Sequence, residues 1–262
     1  MNLKFLLRYK LAARVLPYVL LVIALKLGAH SLGWESLSLN PLFSGIVAGN
    51  VFLMSFLLSG VLSDYKESEK LPGELAASLE ALSDEVQILT KSGKHSPARE
   101  CLAHIAALTQ SIRKWFLKQE PSSNLMAALR ELNDYFLAFE SATQANFIAR
   151  MKQEQSAIRR MLIRIHTIRE TSFVESGYVI AESVTTLLCI GLILSKIDPF
   201  SESLFFVGVI AFFMIFLLIL IRDLDNPFGY YQNASTENVS LKPIEALIER
   251  QARLFSDSKT LP

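Results

Sequence analysis

Cysteine, histidine and net charge are all scarce in this chain, and each scarcity removes a class of reading. Two cysteines, Cys101 and Cys189, in 262 residues are too few for a disulfide framework or a zinc site and read as packing residues. The four histidines, His30, His95, His104 and His166, show no ligand spacing such as H-x-x-x-H, so no metal is expected. Lys and Arg number 26 against 25 Asp and Glu, and this balance gives no electrostatic reason to expect nucleic acid as a partner. The eleven glycines build no phosphate loop, and there is no nucleophile elbow. With no convergent polar set, neither enzymatic chemistry nor a cofactor is expected.

What the chain has in abundance is apolar residues, 51% by number, which excludes a disordered chain. A mean hydropathy of +0.34 alongside so many charges requires that the two kinds of residue be segregated. The apolar residues collect in four runs: Val15 to Gly33, Pro41 to Leu62, Gly177 to Ile197 and Ser203 to Ile221. Each approximates the ~20 residues that carry a helix across ~30 Å of hydrocarbon. The reading is an all-α membrane protein with two transmembrane hairpins. Its segments are residues 1–62, a hydrophilic middle at 63–172, the second hairpin at 173–222 and a C-terminal stretch at 223–262.

Cations retained on the cytoplasmic side set the orientation. Lys4, Arg8, Lys10 and Arg14 precede the first span, and fifteen Lys and Arg lie between Ser63 and Ser172. Arg222, Lys242, Arg250, Arg253 and Lys259 follow the fourth span. Only Lys26 and Lys196 fall elsewhere, each near the outer end of a span, where a long side chain can snorkel to the interface. Both termini and the middle domain are expected to be cytoplasmic, with short outer loops at Trp34 to Asn40 and Asp198 to Glu202. A secretory signal competes for the first run, because a basic start precedes it and Gly28 and Ala29 follow. The length of the run and Lys26 near its end favour a span.

The hydrophilic middle reads as helical. Leu75, Leu79, Leu82, Val86 and Leu89 share one face of a helix that stops near Ser92-Gly93. Leu102, Ile105, Leu108, Ile112 and Trp115 form a second stripe, opening after Ser96-Pro97 and ending before Pro121. Pro and Gly are absent from the 55 residues between Pro121 and Gly177. Leu125, Leu129, Leu132, Phe136 and Phe139 begin a stripe there, and Ile158, Met161, Leu162 and Ile165 continue it. One helix of up to ~75 Å fits, as do two joined near Ser141 to Asn146, leading directly into the third span. A helical-bundle core accounts for most of these residues.

The second span is rich in small residues, with Gly45, Gly49, Gly60, Ser44, Ser55, Ser59 and Ser63, which permit close helix approach in lipid. Ala48, Phe52 and Phe56 recur every four residues, and Ser59 and Ser63 extend roughly that face. Around a symmetry axis such a face stacks apolar rings that close a pore by dewetting. In the alternative, the small residues pack helices and the phenylalanines meet lipid or neighbouring helices. Asn50 lies on a different face and is expected to pack between helices. Glu182, an ionisable group inside the third span, is either a packed, hydrogen-bonded carboxyl or a residue facing a wet cavity.

Two segments carry a resemblance. YKESEKLPGEL at Tyr65 to Leu75, with Tyr65, Glu67 and Gly73, is similar to the Y-W-E-G-R-x-L-W-G-x-L stretch that ends the second helix of bacterial bestrophins. DLDNPFG, with Asp223, Asp225, Pro227, Phe228 and Gly229, followed by Asn233 and by VSLKPIEALIE at Val239 to Glu249, resembles the bestrophin acidic-x-acidic-x-PFG segment and the short helix after it. The two lie just after the second and fourth spans, as in that family, and the likeness covers nearly the whole chain. Asp64 stands where the family has Arg, and Lys66 and Pro72 stand where it has Trp. The stretch before the third span also lacks the family's Pro-Phe and His-Arg features. The chain therefore resembles a divergent bestrophin or the bestrophin-like domain of unknown function.

The resemblance implies a homopentameric ion channel in a bacterial inner membrane, with the bilayer, permeant ions and its own copies as partners. It places three apolar neck rings on Ala48, Phe52 and Phe56, with Ser59 and Ser63 on the pore face. A second, cytoplasmic constriction then has Ile158, Met161 and Ile165 as candidates. Family members mostly pass chloride, although bacterial relatives can prefer cations. Asp223 and Asp225 alone do not supply the ~6 oxygens that a calcium site needs. A membrane-anchored helical scaffold or sensor that recruits a partner is the alternative without conduction.

Overall fold

A computed structural model describes residues 10–38, 40–91, 95–141, 143–171, 175–230 and 238–257. Lys4, Arg8, Asn233 and Lys259, the helix stop at Ser92-Gly93, and Ser172 lie outside the described residues. The elements in chain order are α1 (Lys10–Ser31), β1 (Leu37–Ser38), α2 (Pro41–Lys91), α3 (His95–Phe116), α4 (Ser122–Glu140), α5 (Ala145–Glu170), α6 (Glu175–Leu194), β2 (Ser195–Lys196), α7 (Phe200–Leu224) and α8 (Lys242–Asp257). Four helical stretches, in α1, α2, α6 and α7, are long and apolar enough to cross a membrane. The protein is a helical membrane protein with four spans.

The helix ends follow local chemistry. Gly33, at φ +69°, closes α1: Trp34 N–H donates to the Ala29 carbonyl at 2.9 Å and Gly33 N–H to that of His30 at 3.1 Å. This pattern needs a left-handed residue, which glycine adopts freely. Asn40 caps α2 by accepting the Phe43 N–H on its side-chain oxygen at 2.9 Å, and Pro41 opens the helix where its missing N–H costs nothing.

The chain divides into two compact units. The first holds α1, α2 up to Tyr65, β1, α6, β2 and α7 up to Asn226. Its core joins Met54, Leu57 and Val61 of α2 to Ala181 and Leu188 of α6 and to Val207, Ala211 and Met214 of α7. Gly191 lets α6 approach α2 closely, since a Cβ there meets the Phe43 ring edge at 2.8 Å. The two hairpin turns are tied by a parallel pairing of Leu37 with Ser195 and Ser38 with Lys196, the one departure from an all-helical reading among the described residues.

The second unit holds Lys66 to Thr171, the segment from Pro227, and α8. The expected stripes form its core: Leu75, Leu79, Leu82 and Val86 of α2, Ile105 and Ile112 of α3, and Leu125, Leu129 and Leu132 of α4 are all fully buried. Cys101 joins this core, where burial pushes its thiol up to about 12. It is therefore an unreactive packing residue.

Two expectations about helix length change, and one choice left open is decided. The helix expected from Leu75 is the continuation of the second span: α2 runs unbroken for 51 residues with Pro72 inside it, about 75 Å at 1.5 Å per residue. A proline removes one backbone bond and often breaks a helix. Here Ser68, Leu71, Pro72 and Leu75 are all buried, and this packing holds the helix through that position. Of the two arrangements open for 122–176, the structure has two helices, α4 and α5, the first closed at Ser141. The second does not lead directly into the third span, because Thr171 leaves helical geometry at φ −123°, ψ 130°.

Candidate functional site

The membrane part of α2 has two faces about 180° apart. Asn50, Met54, Leu57 and Val61 are buried, recurring at steps of 4, 3 and 4. Residues two positions away lie about 200° around the helix, so Phe52 and Phe56 point the other way, 76% and 66% exposed. Ala48, Ser59 and Ser63 are exposed with them. Gly45 and Gly49 have no atom within 4 Å of an added Cβ, so these two glycines serve no helix contact within the chain. The chain presents Ala48, Phe52 and Phe56 at intervals of about 6 Å along the axis, followed by two hydroxyls. An apolar ring set of this kind, repeated around an axis, controls water and ion entry.

The buried face is pinned by a polar contact. Asn50 donates its amide to Thr185 Oγ1 at 3.0 Å and approaches Met214 Sδ at 3.7 Å, so one side chain holds α2 against α6 and α7. Asn50 thus packs between helices, as expected. Such bonds contribute about 0.6 kcal/mol, at most about 1.7, inside a bilayer.

Two ion pairs lie at the ends of the spans away from the hairpin turns. Arg222 forms an ion pair with Glu182, the two side chains 62% and 36% exposed. Arg14 Nη1 reaches the Asp223 carboxylate at 3.3 Å, with Asp223 almost wholly buried. Asp225 closes α7, its N–H donating to the Ile221 carbonyl at 3.0 Å, and lies beside the Tyr178 hydroxyl of α6. The two acids of DLDNPFG therefore tie α1, α6 and α7 together. Among the described residues no group of three or more His, Cys, Asp and Glu side chains is arranged to hold a metal ion.

The rest of that motif is structural. Phe228 is fully buried, its ring 5.6 Å from Phe116, and Pro227 and Gly229 are buried beside it. The Pro227 carbonyl accepts the Val239 N–H at 2.9 Å, and the Tyr230 hydroxyl donates to the Val239 carbonyl. In the first motif, Tyr65 packs on the membrane core, Gly73 is half-buried with open space around it, and Glu67 takes a two-pronged contact from Arg164, both bonds 2.9 Å.

That guanidinium holds the Glu67 carboxyl below the usual carboxylate range. Its folded-state value is lowered, so the stability it lends is present above the unfolded value and disappears as pH falls through the folded one. Both side chains are about half exposed, which limits the contribution to well under 1 kcal/mol. A double-mutant cycle with Glu67→Gln and Arg164→Gln is expected to give a coupling of about 0.5 kcal/mol at neutral pH that is lost as pH falls through the lowered range of the Glu67 carboxyl.

Two placements correct the expectations. Ile158 and Ile165 are fully buried in the helical core and cannot line a cytoplasmic constriction; Met161 is half-buried. The exposed apolar residue of that segment is Ile163, 51% accessible, five positions from Ile158 and thus on the opposite side of α5. Lys26 does not snorkel. It is fully enclosed and paired with Glu35 at 2.6 Å, a contact across a turn that periodicity does not reveal.

Among solved structures the chain has the fold of bacterial bestrophin homologues. A variant of such a homologue from Klebsiella pneumoniae aligns with a TM-score of 0.75 at 16% identity, over 95% of this chain and 99% of its own. A further structure of a bacterial bestrophin homologue from Klebsiella pneumoniae gives 0.72 at 17% identity, over 97% and 99%. A variant solved as a membrane protein gives 0.76 at 17%, over 90% and 96%. No protein-family model and no curated protein matches the chain.

Proposed function

We propose that this protein is an ion channel assembled from copies of the chain, five by resemblance, around an axial pore lined by the exposed face of α2. The observation that carries this reading is the Ala48, Phe52 and Phe56 stripe, turned away from the subunit core in a chain with the bestrophin fold. Phe52 and Phe56 form the narrow apolar neck, and Ser59 and Ser63 continue the pore face. Anions are the favoured permeant ions. The neck carries no fixed charge, and the positive edges of phenylalanine rings attract chloride. In this reading the hairpin turns face outward and both termini lie in the cytoplasm of a bacterial inner membrane. The test is reconstitution of the purified chain into liposomes, with chloride and sodium flux and the native mass of the assembly. No flux of either ion sinks the channel reading, and a monomer or dimer sinks the shared axis.

Glu182 bears on the same pathway. Glu182→Gln leaves Arg222 without its ion partner at the end of the spans, and is expected to alter flux or its pH dependence. Wild-type flux at every pH tested assigns Glu182 to packing alone.

A further inference from the structure

Past Ser63 the bare face of α2 turns from hydroxyls to cations. Eighteen residues make about five full helical turns, so Lys66 repeats the direction of Ala48, and Lys70 that of Phe52. Both lysines are exposed, and among the described residues neither forms an ion pair within the chain. The acids around them are engaged or turned aside. Glu67 is held by Arg164 through two bonds of 2.9 Å, with Lys70 acting on it only at longer range. Asp64 and Glu69 lie about 120° and 100° around the helix from the Phe52 direction, and Asp64 is half-buried. Glu74 repeats the direction of Phe56 and is exposed, one turn beyond Lys70.

We propose that Lys66 and Lys70 set the ion preference of the pore: repeated around the axis, their ammoniums form two cationic rings beyond the Ser63 end of the neck that gather anions and turn cations away. This inference rests on the pore reading above and assigns its selectivity to residues outside the apolar neck. Position along the helix decides which charge the neck feels. At ~1.5 Å per residue, Lys66 and Lys70 lie about 15 and 21 Å along the axis from Phe56, and Glu74 about 27 Å. Charge is screened over ~8 Å at physiological salt. Glu74 is about 6 Å farther than one lysine and about 12 Å farther than the other, so the two cations outweigh it at the mouth of the neck. An anion leaving the uncharged neck meets attraction there, and a cation meets a barrier.

The test is the chloride-to-sodium permeability ratio of the purified full chain in liposomes, read from the reversal potential under a sodium chloride gradient. Lys66→Gln combined with Lys70→Gln is expected to lower that ratio about threefold or more in dilute salt. The difference from wild type is expected to shrink at 1 M salt, where the screening length falls to about 3 Å. Lys66→Arg with Lys70→Arg keeps both charges and is expected to keep the ratio. Glu69→Gln alters a charge between the two lysines in sequence but off their face, and is expected to leave the ratio unchanged. The two Lys→Gln substitutions made singly carry the same test, each with part of the shift, should the double variant not assemble. A conducting Lys→Gln variant with the wild-type ratio overturns this inference alone, as does a Glu69→Gln shift as large as theirs. A wild-type chain that passes neither ion overturns it together with the pore.

Discussion

Replacing Phe52 and Phe56 together by alanine is expected to raise ion flux in liposomes about tenfold or more, equivalent to removing about 1.4 kcal/mol from the permeation barrier. The argument rests on which face of α2 the rings occupy. Both are largely exposed in the subunit, so neither supports its core. If they ring the axis, their removal widens the apolar neck and lowers the cost of wetting it. The control is Phe205→Ala on α7, a ring 65% exposed and outside the proposed neck, where flux should not change. Equal increases in both variants would show that exposure to lipid, rather than to a pore, describes all three rings. An unchanged double variant would remove the neck from α2.

Phe228→Ala is expected to be the most damaging single substitution among the family-motif residues, with a loss of about 3–5 kcal/mol. The side chain is completely enclosed and packs on Phe116, which also meets Tyr230 edge-on at 6.1 Å. Deleting the ring leaves a cavity walled by these aromatics and loosens the segment whose Pro227 carbonyl holds Val239. Against a typical stability of about 5–15 kcal/mol, the loss is large enough to see as a lower denaturation midpoint and a reduced yield of folded protein. Phe228→Leu retains most of the volume and is expected to recover most of the difference. A variant with alanine at 228 that unfolds like the wild type would show that the motif does not build the core.

Periodicity made much of this molecule readable. The four apolar runs became the spans, and the leucine stripes of α2, α3 and α4 became buried faces, because a 3.6-residue repeat states directly which side of a helix avoids water. It does not state what covers that side. Ile158 and Ile165 have the same spacing whether they fill a subunit core or line a channel, and only the packing of the whole unit shows that they fill the core. The same ambiguity applies to Phe52 and Met54, two apolar residues on opposite faces of one helix, of which one is buried and one is bare. Pro72 lies inside α2, where neighbouring packing overrides the break that a proline often makes. The grouping of Lys26 with Glu35 and two carbonyls from residues about 170 positions later has no periodic signature, since it depends on how two hairpin turns meet.

The division of α2 into a pinned face and a bare one also bears on how such a protein can change. A substitution at Asn50, Met54 or Leu57 disturbs three helices at once and is charged against folding. One at Phe52 or Phe56 touches almost nothing in its own chain, so under the proposed function the side chains that control passage are those whose replacement costs folding least. Fold and permeation can then drift independently along a single helix. On that reading a chain with this arrangement can explore new ion preferences one residue at a time while the architecture beneath stays intact.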